Sequence, residues 1–568
     1  MSQPKQQGDL TTKADVVVIG AGTYGIQFAR TYLEIHPDHE VIVLEADAHV
    51  GGPWAAHRGY ETFMTQSPVD FVEFSDKPLT GIPSKELYYC HFPAKYYTNY
   101  LEEYIDEHVY AGKALRSRIQ FCSRVERVMK QDGVWNVSTA HGATFQVPKI
   151  VDAVGMTSVP KIPDIPGKAS FRGIQLHHKE FGQLNILERP DVRSVAVIGG
   201  AKSAADVAYA AAKAGKTVHW IIRKSGTGPS WFVPAYGLGG MSTCSSHGLW
   251  IRLMTPLLAS IFAKPGPVLR FLYCSPIGQA IYWRFWAFVA FMLSYMTDYE
   301  RKDGRANGFH NLKPETGPFW ANDSTSNLNK PDFLDTIARH VHVYRQDIHS
   351  IGETSIETSD GSELEADAIV YATGWTAGMS YYDTSLASKL GLPITQQAHD
   401  EKSQQKWQVL DQEAEVQITA EMPMLSHRPA CWKPDTKRSP LRLYKSMLPI
   451  TDQSIVLLGK TLFAHSFAVA EVEAIWAVAA LDQNISLPSV PEMEREIALT
   501  VAWSRKRYPS RGWQAMWFPW DSIPFTDMLL EQLGLSSHRG SSWWSDLVTP
   551  VSSSRLKSLI GEYQRLHG

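Results

Sequence analysis

Three glycines carry the first chemistry legible in this chain. Gly20, Gly22 and Gly25 stand in the run Gly-Ala-Gly-Thr-Tyr-Gly, directly after the apolar stretch Asp15–Ile19. A short apolar run of that kind suits a buried parallel strand. Between a strand and a helix, the first glycine makes a tight turn. The second lets the backbone approach a pyrophosphate, and the third lets helix and strand pack closely. The helix N-terminus then presents N–H groups and a positive dipole end to the phosphates. A second strand, Val41–Leu44, ends at Glu45, 20 residues past Gly25. A carboxylate there accepts hydrogen bonds from ribose hydroxyls and repels a 2′-phosphate, so this site suits FAD.

The pattern recurs. Ser194–Ile198 leads into Gly199-Gly200-Ala201-Lys202-Ser203-Ala204 and an alanine-rich helix. Ala201 places a methyl where the second glycine would be, and Ala204 is a permitted third position. The next strand, Val218–Ile222, ends at Arg223 and Lys224 instead of an acid. Two cations there suit a 2′-phosphate, which Arg holds bidentately. Gly199, Lys202, Ser203, Arg223 and Lys224 are therefore expected to bind NADPH. The alternative is a solvated basic turn.

These motifs require an α/β chain with two Rossmann-like dinucleotide-binding domains, one for FAD and one for NADPH. Polar or proline-rich crossings near residues 159–167 and 329–338 set the expected boundaries. Residues 1–165 form the first part of the FAD-binding domain. Residues 166–335 form the NADPH-binding domain, with a helical, aromatic-rich insertion at 226–330. Residues 336–568 return to the FAD-binding domain and add a C-terminal extension. Much of the surplus of tryptophan, 18 in 568 residues, falls in the insertion and in the stretch Trp503–Trp544. The insertion reads first as an enlarged helical subdomain with its own core, and otherwise as part of a roof over a bulky apolar or aromatic substrate; the aromatic-rich addition is where substrate identity is expected to be written.

Composition narrows the partners. A net charge of -3 shows no basic surplus, which argues against nucleic acid. Five cysteines, an odd number with no Cys-x-x-Cys, read neither as a disulfide framework nor as a metal ribbon. A reducing, cytoplasmic compartment follows. The polar segment Met1–Ala14 lacks the apolar core of a secretion signal. The one membrane-like stretch, Ile251–Met296, is broken by Arg252, Lys264, Arg270 and Arg284, leaving uncharged runs of at most 13 residues. A transmembrane helix needs roughly 20. Buried or half-buried helices are expected there; the other reading is a surface that rests on a membrane or receives a greasy substrate.

Further motifs connect the two sites. Gly51-Gly52-Pro53-Trp54 follows Glu45. Phe171-Arg172-Gly173-Ile174-Gln175-Leu176-His177-His178-Lys179-Glu180-Phe181 precedes the second glycine run. Asp367–Trp375 closes a later strand with Ala372-Thr373-Gly374, and Val151–Gly155 closes an earlier one. Together these resemble the flavin-containing monooxygenases, the class B group that includes Baeyer–Villiger enzymes. The eleven-residue segment matches the fingerprint F-x-G-x-x-x-H-x-x-x-F/Y at each fixed position.

The resemblance implies that NADPH reduces FAD, that NADP stays bound, and that O2 adds at flavin C4a to give the (hydro)peroxide that attacks the substrate. The protein's task is then to position groups and exclude water. It implies a flavin site that includes Gly52, Pro53, Trp54, Thr65, Gln66, Val125 and Gly374. Gln66 stands where the family places an Asn, keeping the amide and adding a methylene. His177, near the domain linker, would couple nicotinamide binding to flavin chemistry, so Gln66 and His177 are the catalytic candidates. Phe181 is the version seen in heteroatom-oxidising members, whereas Baeyer–Villiger enzymes carry Trp. Gly182 replaces a frequent basic residue.

Arg58 is a poor match to the Baeyer–Villiger arginine. The expected reaction is oxygenation by O2 of a hydrophobic, nitrogen-containing small molecule in secondary metabolism. Ester formation or carbon oxidation on the same scaffold is the alternative. A disulfide oxidoreductase would need a redox cysteine pair near the flavin, and Cys90 and Cys122 are far apart in sequence. A non-catalytic redox-sensing protein is the fourth reading. Oligomeric state stays open.

Overall fold

The computed structural model describes residues 12–237, 244–320, 325–395, 398, 400–426, 428–429 and 437–567. Residues 1–11 of the polar N-terminal segment, and 238–243 and 321–324 of the insertion, lie outside them.

Two five-stranded parallel sheets organise the chain. In the first, β1 (Val16–Ile19) feeds helix α1 (Thr23–Ile35), which returns to β2 (Val41–Leu44). It is completed by β3 (Ile119–Gln120), β4 (Lys149–Asp152) and a strand from much later in the chain, Ile455–Leu457. Each residue of β1 and β2 is buried, as unbroken apolar runs in a sheet covered on both faces must be. The second sheet runs through β5 (Ile174–His177), β6 (Ser194–Ile198), β7 (Thr217–Ile222), β8 (Val341–Arg345) and β9 (Ala368–Tyr371). Helix α2 (Lys202–Lys213) joins β6 to β7. The late strand Ile455–Leu457, β10, pairs with β4 at the edge of the first sheet.

The spatial order in the second sheet is β5-β9-β6-β7-β8. This corrects the expected boundary at residue 335. Strands β8 and β9 belong to the second sheet, with β9 pinned between β5 and β6, so the chain leaves that sheet only after Tyr371. The polar stretch read as a crossing instead leads into the helix Phe333–His340.

The two crossing segments meet. Val159 pairs with Thr376 and Pro160 with Trp375 in a two-residue antiparallel ribbon. Lys161 N–H donates to the Gly374 carbonyl (3.0 Å), further tying one linker to the other.

The insertion carries helix α3 (Pro276–Thr297), capped by Ser275, which accepts from Gly278 N–H, with Pro276 at the first turn. Its inward face is held by aromatics: Trp283 and Trp286 pack edge-on against Phe319 at 5.1 and 5.4 Å, and Phe319 against Trp320 at 4.8 Å. A disulfide joins Cys90 to Cys244, across 154 residues. The cysteine count alone suggested no such bridge, because pairing distance is set by the fold and not by spacing.

After β10 comes helix α4 (Ser466–Leu481), buried from Phe467 to Leu481 and apolar on every side except at Glu471 and Glu473. A helix hydrophobic all round belongs in a core. It packs against α1 and the helix Ser522–Gln532.

Candidate cofactor and active site

Both glycine turns open on one cavity of about 1670 Å³. A pocket for one drug-sized molecule is usually about 300–1000 Å³. Gly20, Gly22, Glu45, Gly52, Pro53, Trp54, Gln66 and Val125 line it on one side. Gly199, Lys202, Ser203 and Arg223 line it on the other, with Gly374 between. Four expected site residues are not on its wall: Gly25, Thr65, His177 and Lys224.

The first glycine turn has the geometry that a pyrophosphate needs. Gly20 has φ +101°, in the region that favours glycine. A Cβ on Gly25 would sit 1.9 Å from the Gly20 carbonyl oxygen, so Gly25 acts beneath the wall, letting α1 close on the turn. A Cβ on Gly22 would meet no atom within 4 Å. The chain leaves that space open although its own packing does not require it. Gly22 is also the N-cap of α1, and no side chain caps this helix. Its first-turn amides therefore remain available to an anion.

Glu45 closes the other end. Its Oε2 accepts from Ala21 N–H (2.6 Å) and its Oε1 from Asp47 N–H (2.9 Å). Burial raises its pKa, and these two amides offset only part of the rise. The residues present fit an adenine dinucleotide lacking a 2′-phosphate.

The second turn repeats the arrangement with less room. Ala201 is the uncapped N-cap of α2 in the same extended conformation as Gly22 (φ -106° against -78°). Arg223 and Lys224 are both exposed at the end of β7, but only Arg223 faces the cavity. The Arg223 carbonyl accepts from the Arg345 guanidinium, which stands at the end of the neighbouring β8 and pairs with Glu315 (2.6 Å).

Lys202 is on the wall, but its ammonium is committed to Asp206. Lys330 joins the same carboxylate at 3.1 Å. Burial, outweighing Asp206, lowers the Lys202 pKa to about 8. Lys330 also donates to Asn329 Oδ1 (3.2 Å), and Asn329 Nδ2 donates to the Thr65 carbonyl (2.9 Å). Thr65 is wholly buried, its hydroxyl accepting from Phe92 N–H (3.3 Å). Thr65 thus holds Gln66 in place and does not itself face a ligand. A polar chain of Lys202, Asp206, Lys330, Asn329 and Thr65 runs from the second dinucleotide turn to Gln66. Asn329 and Lys330 had no motif to reveal them and sat in a stretch that reads as a linker.

His177 is likewise a positioning residue. It is fully buried. Its Nε2–H donates to the Gly374 carbonyl (3.0 Å) on the linker ribbon, and its Nδ1 accepts from Lys179 N–H (3.2 Å). The fingerprint histidine therefore fastens β5 to the crossing. His178 and Lys179, its neighbours, reach the cavity. Burial drives the His178 pKa down to about 3, so its ring is neutral at physiological pH. Lys179 reaches back to the Ser158 carbonyl on the other linker (3.0 Å).

Gly182 also gains a reason. A Cβ there would lie 2.2 Å from the Gly59 carbonyl oxygen and 2.7 Å from that of Arg58. Its bareness lets the Arg58 turn dock. Arg58 is buried on the cavity wall and pairs with Asp47 (2.9 Å). Phe181 packs edge-on against Tyr60 at 5.1 Å, and Tyr60 in turn stacks with Phe63 and Phe63 with Trp54.

The apolar wall comes from Phe63, Met64, Leu462, Phe463, Met516 and Trp517. The C-terminal extension thus reaches the cavity through Met516 and Trp517. The insertion's Trp231, Trp250, Trp283, Trp286 and Trp320 do not, since they pack inward. The disulfide Cys90–Cys244 also lies off the wall, so no cysteine pair faces the cavity among the described residues.

Residues 17–239 match the pyridine nucleotide-disulphide oxidoreductase family model. The chain is 31% identical to the FAD-dependent monooxygenase resA of Aspergillus sclerotiorum, over 97% of this chain and 98% of that protein. It is 30% identical to the FAD-dependent monooxygenase rstn6 of Aspergillus nomiae, over 98% of each. Among solved structures, cyclohexanone monooxygenase in an open crystal form superposes with TM-score 0.59 at 15% identity, covering 92% of this chain and 98% of that one. An S-allyl-L-cysteine S-oxygenase from Allium sativum gives TM-score 0.52 at 16% identity, covering 97% and 95%. At those identities the structural matches speak for the fold alone.

Proposed function

This chain belongs to the flavin-containing, FAD-dependent monooxygenases, and from that premise we propose that it uses NADPH and O2 to oxygenate a hydrophobic, nitrogen-containing small molecule. The observation that carries this reading is the single cavity on which two uncapped dinucleotide turns open, one ending in Glu45 and the other in Arg223. Gly20, Gly22, Glu45 and Gly52–Trp54 would hold FAD. Gly199, Ser203 and Arg223 would hold NADPH, with Arg345 beside them. When bound and reduced, the flavin supplies the electrons that activate O2 for transfer of one oxygen atom.

The chain's own groups do the rest. Gln66 offers an amide donor and acceptor on the cavity wall, held there through Thr65 and Asn329. Neutral His178 adds a ring that carries no charge into the cavity. Phe63, Met64, Phe463, Met516 and Trp517 exclude water and would seat an apolar substrate. His177 keeps the linker ribbon registered against β5, so that the two halves of the cavity stay aligned. Nitrogen as the oxygenated atom rests on Phe181, the residue that resembles heteroatom-oxidising relatives at this position, which packs edge-on behind Tyr60 of the cavity wall.

One observation favours a second reading, insertion of oxygen beside a ketone. Arg58 stands on the wall with its guanidinium tied to Asp47, so a buried cation is available there.

The test uses the purified full chain. It should carry FAD, bleach with NADPH under nitrogen, and on admission of 18O2 place one 18O in a lipophilic tertiary amine. Fast, stoichiometric release of hydrogen peroxide with no labelled product from amines or ketones would defeat the monooxygenase reading. An oxygenated ketone product split by alkaline hydrolysis would mark an ester and favour the second reading.

A further inference from the structure

We propose that α3 and the helix before it, Pro267–Cys274, form a docking face for an anionic lipid bilayer, on which the protein lies without crossing. The outward residues of α3 include Ile277, Ile281, Arg284, Phe288, Phe291 and Tyr295, spaced by alternating steps of four and three. Five of these six are apolar or aromatic, and those five are between 47% and 73% exposed. The preceding helix adds exposed Val268 and Phe271 beside Arg270. An ordinary surface helix turns its polar side to water. Here the inner side is already committed to the core through Tyr282 and Trp286, so the outer side is apolar without serving the fold. The stripe from Ile277 to Tyr295 is about 27 Å long at 1.5 Å per residue. A contiguous exposed apolar surface of that kind marks an interaction site.

Charge decides the partner. From Ser245 to Thr297 there is no Asp or Glu. Four cations interrupt the segment, and two are spoken for: Arg252 pairs with Asp527 and Asp546, and Lys264 with Glu531 at 2.8 Å. Arg270 and Arg284 have no ion pair among the described residues. Aromatic and aliphatic side chains with two unneutralised arginines, and no acid from Pro267 until Asp298 at the C-cap of α3, match the acyl–headgroup boundary of an anionic membrane. A second copy would instead set arginines on a stripe, 277–295, that carries no carboxylate of its own. No described helix is long and apolar enough to cross a membrane, which leaves the in-plane arrangement. The proposal is independent of which atom the enzyme oxygenates.

The test is flotation of the full-length, FAD-loaded chain with vesicles of phosphatidylcholine alone or containing phosphatidylserine. The chain should float with the anionic vesicles at low salt and be released as salt rises. F288S/F291S should stay at the bottom with an unchanged thermal midpoint. R270Q/R284Q should lower the partition coefficient by about 30-fold, at roughly fivefold per cation. Failure to float with either vesicle would overturn the proposal. So would apolar variants that float like the parent, or equal flotation on neutral vesicles. A stable dimer that F288S/F291S dissolves would assign the face to a second copy and refute the membrane.

Discussion

Gly22→Ala separates what the fold needs from what the ligand needs. The new methyl would meet no protein atom within 4 Å, and the backbone there (φ -78°, ψ -176°) suits alanine. Replacing glycine at an N-cap by alanine costs roughly 0.5–1 kcal/mol. The smaller freedom of the unfolded chain returns about 0.4–1 kcal/mol. Stability should therefore change by no more than about 0.5 kcal/mol, and the apoprotein should melt within a few degrees of the parent. The same methyl enters the space that a pyrophosphate would fill. Overpacking there costs about 1–3 kcal/mol, which weakens FAD about 5- to 150-fold. Gly25→Ala is the control. Its Cβ would sit 1.9 Å from the Gly20 carbonyl oxygen, so it should damage folding itself. Flavin titration of apoprotein by fluorescence quenching, beside calorimetric melting of the same samples, reads both quantities. A Gly22→Ala protein that binds FAD as tightly as the parent would refute the reasoning. One that melts as low as Gly25→Ala would refute it too.

Other outcomes follow from the same geometry. Arg223→Ala should raise the KM for NADPH by about 10- to 150-fold, from the loss of about 1.5–3 kcal/mol of charged hydrogen bonding, and leave NADH nearly unchanged. Lys224→Ala, off the wall, should do little, and a reversed order in steady-state oxidation assays would remove Arg223 from the site. Asn329→Ala strands the Thr65 carbonyl. It should cost about 1–3 kcal/mol in denaturant unfolding and raise peroxide released per NADPH, because Gln66 loses its support. Burial raises the pKa of both Glu471 and Glu473 to about 8, so the folded state holds protons that the unfolded state releases near pH 4.5. Stability from these groups is fully present below about 4.5 and lost as pH rises through about 8. The thermal midpoint should fall between pH 5 and 8, and E471Q/E473Q should flatten that slope.

The placement of the glycine runs, Glu45 and Arg223 in two strand–turn–helix units was legible because each is a local solution to a local problem. A tight turn, a close approach and a strand-end charge can all be read within one strand–turn–helix unit. The linker ribbon was half legible, since its two Pro- and Gly-bearing segments stood out but their pairing did not. The second crossing was misplaced because β9 is a short apolar run like any other, and only its neighbours β5 and β6 say to which sheet it belongs. His177 was found by its motif and its nearness to the linker, but its burial and its bond to Gly374 are tertiary facts. Asn329 and Lys330 were invisible for the same reason: a buried polar chain assembled from distant segments leaves no spacing to read. The aromatic surplus of the insertion was legible as core, but not as a core shared with the first sheet. The insertion's Trp250, Trp286 and Trp320 join the core of the first sheet and α4 instead of building one of their own, and of the tryptophans in the insertion and in Trp503–Trp544 only Trp517 is on the cavity wall.

The position of β10 has a consequence for synthesis. Strands β5 to β9 are contiguous in the chain, so the second sheet can be assembled once residue 371 has emerged. The first sheet gains its edge only with Ile455–Leu457, and the cavity wall from Gly459 to Phe467 follows still later. At about 5–20 residues per second, a ribosome reaches that point roughly 4–20 s after β9. During that interval α1 lacks the α4 surface against which it packs. The flavin cradle thus closes well after the second sheet, and a chain cut short after β9 should hold a finished NADPH-side sheet while retaining no FAD.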